Sequence, residues 1–120
     1  MSKLSECQEK IEIELNYFVG KQDTKNGIFV GGVKNPKYLD ELEINIFEDE
    51  IFNEELDSFV KNGKIQVSLS GSSRSLEELG KYLIALSRYN TEDPDYHDHF
   101  DNIKNSEGSE MVNLIVKKRK

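Results

Sequence analysis

Lys64-Ile65-Gln66-Val67-Ser68-Leu69-Ser70-Gly71-Ser72-Ser73-Arg74-Ser75-Leu76-Glu77-Glu78-Leu79 passes from one kind of regular structure straight into another. Ile65, Val67 and Leu69 alternate with Gln66, Ser68 and Ser70, the period of a strand with one apolar side. From Ser75 the period changes. Leu76, Leu79, Leu83 and Leu86 recur at spacings of three and four, and Tyr82 and Tyr89 widen the stripe. Ser75 is placed to cap a helix, with Glu78 completing a capping box. Glu77 and Glu78 lie at the start and Arg88 near the end, as the helix dipole favours. A helix over about 76–89 is therefore expected, ended before Pro94 and packed by its leucines on a sheet.

Strand patterns flank this unit. Ile11, Ile13 and Leu15 alternate with Glu12, Glu14 and Asn16, and Tyr17 and Val19 continue the row. Ile28-Phe29-Val30 follows an Asn26-Gly27 pair suited to a tight turn. Leu42, Ile44 and Ile46 read as a third strand. Glu48 to Lys61 has two readings. Phe52, Leu56, Phe59 and Val60 fall at helical spacing, which favours a short helix near 50–60 or an irregular segment. Asn62-Gly63, however, also suits a turn after a strand. Tyr96, Asp98 and Phe100 alternate again, and Met111 to Lys118 makes a last strand with Val112, Leu114 and Val116 buried. The expected fold is α+β, a largely antiparallel sheet of about five to six strands against one main helix. With 120 residues the chain is one domain's worth, residues 1–9 reading as a flexible leader.

Composition narrows the function. No stretch approaches the roughly 18 apolar residues of a membrane span, and the lysine near the N-terminus is followed by no apolar segment of a secretory signal. Cys7 is the sole cysteine, so no internal disulfide forms and a reducing cytoplasm is the expected home. The net charge of -7 disfavours general affinity for nucleic acid or anionic membrane. Its distribution is uneven. Asp40, Glu41, Glu43, Glu48, Asp49, Glu50, Glu54, Glu55 and Asp57 fall in a stretch without Lys or Arg. Glu92, Asp93, Asp95, Asp98 and Asp101 form a second such stretch, and the chain closes on Lys117-Lys118-Arg119-Lys120. Each block taken alone suits an ordinary solvated face; together they suit a surface for a basic partner.

Asp95-Tyr96-His97-Asp98-His99-Phe100-Asp101 is the main cluster of chemically capable groups. His97 and His99, two apart on a strand, point the same way and could begin a metal site, completed by an oxygen donor from another strand. Acid–base catalysis by either imidazole lacks an identifiable nucleophile or pocket. Tyr96, the imidazoles and the carboxylates also serve as contact residues for a basic protein. Gly71-Ser72-Ser73 lacks the spacing of a nucleotide loop and reads as a structural turn. The basic end is too short to recruit nucleic acid, and it suits pairing with acids or protection of a sheet edge.

The strand ending in a small polar turn (Ile65 to Ser72), the leucine-rich helix (Leu76 to Leu86), the stretch Asp93 to Asp101 and the apolar strand with a basic end (Asn113 to Lys118) occur here in one order. Together they resemble the thirty-second family of immunity proteins from bacterial polymorphic toxin systems, over roughly residues 63–119. The resemblance implies binding and neutralisation of a cognate toxin domain without catalysis, and it brings no catalytic residues and no cofactor. A basic toxin agrees with the charge map, whose candidate surface joins the 40–57 acids to Asp95, Tyr96, His97, Asp98, His99 and Asp101. The alternatives are a small metal-binding protein or enzyme centred on His97 and His99, and a structural protein acting through homodimers.

Overall fold

A computed structural model describes residues 3–109 and 112–119. Its elements are β1 (Tyr17–Val19), β2 (Gly31–Val33), β3 (Leu42–Asn53), β4 (Ser58–Gly71), helix α1 (Ser73–Arg88), β5 (Asp98–Ile103) and β6 (Val112–Val116), with 3-10 turns at Thr24–Asn26 and Leu39–Glu41. The class is α+β, as the patterning implies. The strands form three antiparallel pairs, β1 with β2, β3 with β4 and β5 with β6, rather than one continuous sheet. A single parallel bridge, Glu43 with Lys104, joins the second pair to the third.

The expected short helix near 50–60 is not formed. Residues 42–53 and 58–71 make one long hairpin instead, in which Ile51 faces Val60 and Phe52 faces Phe59. The two phenyl rings meet edge to face at 5.5 Å. The helical spacing of Phe52, Leu56, Phe59 and Val60 is what remains when cross-strand partners flank a tight turn. Asn53 Oδ1 accepts from Leu56 N–H at 3.1 Å, and Asp57 closes the turn in the left-handed region at φ 50°. Asn62-Gly63 is indeed turn chemistry, but it makes a bulge within β4. The register shifts between Glu48 and Glu50, with Gly63 at φ 80° where a side chain would be strained. Asn62 steadies the bulge. Its Nδ2 donates to Asp49 Oδ2 at 2.7 Å and its Oδ1 accepts from Lys64 N–H at 3.0 Å.

Several boundaries also move. Helix α1 begins earlier than Ser75, because Ser72 is its cap: Ser72 Oγ accepts from Ser75 N–H at 3.2 Å. Ser75 lies buried inside the first turn. The buried stripe is Ser75, Leu79, Tyr82, Ala85 and Leu86, while Leu76 and Leu83 stand at its flank, 44% and 46% exposed. Of the long N-terminal strand pattern only Tyr17–Val19 forms a strand, paired with Gly31–Val33, and the strand expected at Ile28-Phe29-Val30 is not formed. Met111, expected in the last strand, lies outside the described residues.

The core gathers Val33, Leu39, Leu42, Ile44, Leu79, Tyr82, Ala85, Leu86, Phe100 and Ile103. Leu42 and Ile103 are almost fully enclosed, each contributing about 1.5–3 kcal/mol. This core holds the root of the β3–β4 hairpin and not its outer half. The radius of gyration is 19.7 Å and the long axis 63 Å, against about 14 Å for a compact chain of this length. The hairpin projects as an arm.

Candidate partner-binding surface

The acids of the first block fall on three parts of this architecture. Asp40 and Glu41 belong to the 3-10 turn at the hairpin root. The Glu41 carboxylate receives Arg74 Nε at 2.9 Å, a further guanidinium N–H and the Ser72 hydroxyl. Arg74 and then Ser72 hold its pKa down at about 2, well below its ordinary value of 4.5. The same guanidinium covers the Tyr38 ring at 4.1 Å. Glu41 thus fastens the start of β3 to the start of α1.

Glu43, Glu48, Asp49 and Glu50 lie along β3, and Glu54, Glu55 and Asp57 lie at the tip. Folding brings bases beside them that the order of residues conceals. Lys61 Nζ meets Glu48 Oε2 at 2.8 Å, and Lys61 stands opposite Glu50 in the ladder. Glu54, Glu55 and Asp57 are exposed. At about 3.3 Å per residue, β3 carries this tip roughly 36 Å from the root, so the tip acids and the 92–101 segment do not form one patch. Asp40 and Glu41 do lie near β5, since their turn packs on that strand.

The outer arm also exposes apolar side chains. Ile51, Phe52, Leu56 and Phe59 are 50–66% exposed at the tip, and Ile46, Ile65 and Val67 are 61–70% exposed further in. Isolated exposed apolar residues are ordinary; a run of them on a projecting ribbon marks a contact surface. The pairing of β3 with β4 was the missing signal, because it sets Phe52 beside Phe59 on one face of the ribbon and Ile51 beside Val60 on the other.

In the second block, side chains divide between fold and surface. Tyr96 is half-buried: its hydroxyl accepts from Val33 N–H at 2.8 Å and donates toward Asp98 at 3.3 Å. Its ring lies 5.1 Å from Tyr89. Gly32 packs so close to this ring that a Cβ would stand 2.8 Å from the Tyr96 oxygen. Asp98 also accepts from the Tyr82 hydroxyl. Burial first, and the Asp98 carboxylate second, push the Tyr82 pKa upward; burial does the same for Tyr96. Asp95, His97, His99 and Asp101 remain exposed. Lys117 reaches Asp95 at 3.9 Å and Lys118 the Tyr89 carbonyl at 3.4 Å, so the basic end does meet neighbouring acceptors.

His97 and His99 project together, as their spacing implies. Their Nε2 atoms lie 2.8 Å apart, and His97 Nδ1 sits 2.6 Å from the Asp95 carbonyl oxygen. The carbonyl only accepts, so His97 carries its proton on Nδ1 and the Nε2 pair shares one hydrogen bond. Among the described residues no three His, Cys, Asp or Glu side chains cluster as metal ligands would. Nor is any described helix long and apolar enough to cross a membrane.

A projecting hairpin arm on an α+β frame is the class of architecture defined by this geometry. Residues 66–119 match the family model described as Immunity protein 32, which supports an immunity-protein role for the chain. The match covers the inner part of β4, α1, β5 and β6. Comparison with curated proteins and with solved structures returned no match.

Proposed function

We propose that this protein is a non-catalytic immunity protein that binds and neutralises a cognate toxin domain, and that the β3–β4 arm is its principal contact. The observation carrying this reading is the arm itself: Phe52, Leu56 and Phe59 stand exposed at its tip together with Glu54, Glu55 and Asp57, well away from the core. Aromatic and aliphatic anchors supply the desolvated centre of an interface, and surrounding carboxylates steer a basic partner and favour rapid encounter. The family match over 66–119 supports the reading independently. Asp95, His97, His99 and Asp101 form a secondary exposed strip, whereas Glu41, Tyr96 and Asp98 are occupied in holding the fold. On this reading the complex would form in the cytoplasm.

The test is co-expression with the toxin domain encoded beside this gene. Cells making the toxin domain should survive only when this chain is made as well, and the purified pair should elute together. Survival without a physical complex, or no rescue at all, would remove the reading.

A further inference from the structure

The outer edge of β4 carries an inference independent of toxin binding. Ile44 N–H donates to the Lys104 carbonyl at 2.9 Å, so the backbone of Ile44 faces β5 and turns away from β4. Ile44 stands opposite Leu69. In an antiparallel ladder each residue turns N–H and C=O to the same side, and the side alternates along the strand. Leu69, Val67 and Ile65 therefore direct their backbone groups outward, and Ser70, Ser68 and Gln66 direct theirs to β3. Among the described residues, no backbone hydrogen bond outside the β3–β4 ladder involves Ile65, Val67 or Leu69. Their side chains are 70%, 62% and 49% exposed.

We infer that this edge pairs with a second copy of the chain, β4 against β4, about a two-fold axis at Val67. The pattern is self-complementary. Antiparallel pairing through Val67 sets Ile65 against Leu69, Val67 against Val67 and Gln66 against Ser68, apolar with apolar and polar with polar. The backbone groups of Ile65, Val67 and Leu69 then exchange hydrogen bonds with their counterparts. Charge selects the occupant. β4 contains Lys61 and Lys64 and no acid, while β3 carries Glu43, Glu48, Asp49 and Glu50. A chain of net charge -7 approaches its own copy with least repulsion through this acid-free strand. A basic toxin strand would instead meet the two lysines. Nothing blunts the edge either, since β4 has no proline and its lysines stand outside the Ile65–Leu69 stretch.

Sedimentation equilibrium of the full chain over a wide concentration range tests the pairing. The expected mass rises from 13.8 kDa toward twice that value. Val67→Pro removes an N–H that the β3 ladder does not use, and Val67→Lys sets like charges face to face on the axis. Each should weaken the dimer about tenfold or more, with the circular dichroism unchanged. Ser68→Lys, opposite Gln66 on the other face, should leave the dimer in place. If Val67→Pro fails to fold, Val67→Lys decides. A wild type fixed at 13.8 kDa overturns the inference. So does a dimer indifferent to the folded Val67 variants, or growth beyond two copies, because a two-fold contact closes on itself. Neither result bears on toxin neutralisation, which co-expression tests separately.

Discussion

The Tyr82 hydroxyl donates a hydrogen bond to the carboxylate of Asp98, tying the middle of α1 to the first residue of β5. The ring is 2% exposed and meets Phe100 edge to face at 5.3 Å. Tyr96 approaches the same carboxylate from the other side and passes the connection to Val33. One acid thus gathers helix, loop and two ribbons.

Asp98→Ala should cost about 1–3 kcal/mol, because it strands the buried Tyr82 hydroxyl. Tyr82→Phe should cost less, about 0.5–1.5 kcal/mol, since Asp98 keeps its Tyr96 contact. Urea unfolding of the two variants checks the order. A larger loss for Tyr82→Phe would mean that the Tyr82 hydroxyl finds another partner once Asp98 is gone, so that its stranding is not the main cost of Asp98→Ala.

The Glu41 clamp has an acid signature. Its folded pKa lies near 2, below the ordinary 4.5, so its stabilisation is complete above about 4.5 and fades as the pH falls toward 2. Glu41→Gln should be the less stable protein at pH 6, and the gap should close between these limits. Thermal melts across that range read the convergence; parallel curves at every pH would contradict it.

Leu79→Ala should destabilise the fold by about 2–5 kcal/mol. Leu83→Ala, at an exposed flank, should stay within about 0.5 kcal/mol of wild type. Both leucines belong to the same heptad-like stripe, so denaturant midpoints separate the observed helix orientation from the one its sequence suggests.

Charge reversal tests the proposed contact at the arm. Glu54→Lys or Asp57→Lys should slow association about threefold to tenfold at low salt and flatten its salt dependence. Glu12→Lys should change it much less. Equal slowing by all three would assign the effect to total charge rather than to the arm, as stopped-flow mixing can show.

The strand at Ile65–Leu69 and the helix after it were legible because each repeats a period over enough residues. Residues 48–62 were not. Their helical spacing comes from two strands folding back, a relation between residues such as Ile51 and Val60 that no single-strand period encodes. Asn62-Gly63 announced a change of direction, but a bulge and a turn share that chemistry. The acid blocks were visible as composition. Their separation into a clamp at Glu41, a ladder beside Lys61 and an open tip required pairings across long sequence distances. The same holds for Tyr96 and Asp98, which look like surface residues until Val33 and Tyr82 meet them.

The bulge at Asn62–Lys64 has an evolutionary consequence. Inward of it, β3 is tied to the core through the buried Leu42 and Ile44; outward of it, no residue of the ribbon is buried. The family match begins at Gln66, just inside this boundary. On the proposed reading, the exposed tip could exchange one partner for another by substitution while the scaffold is inherited intact.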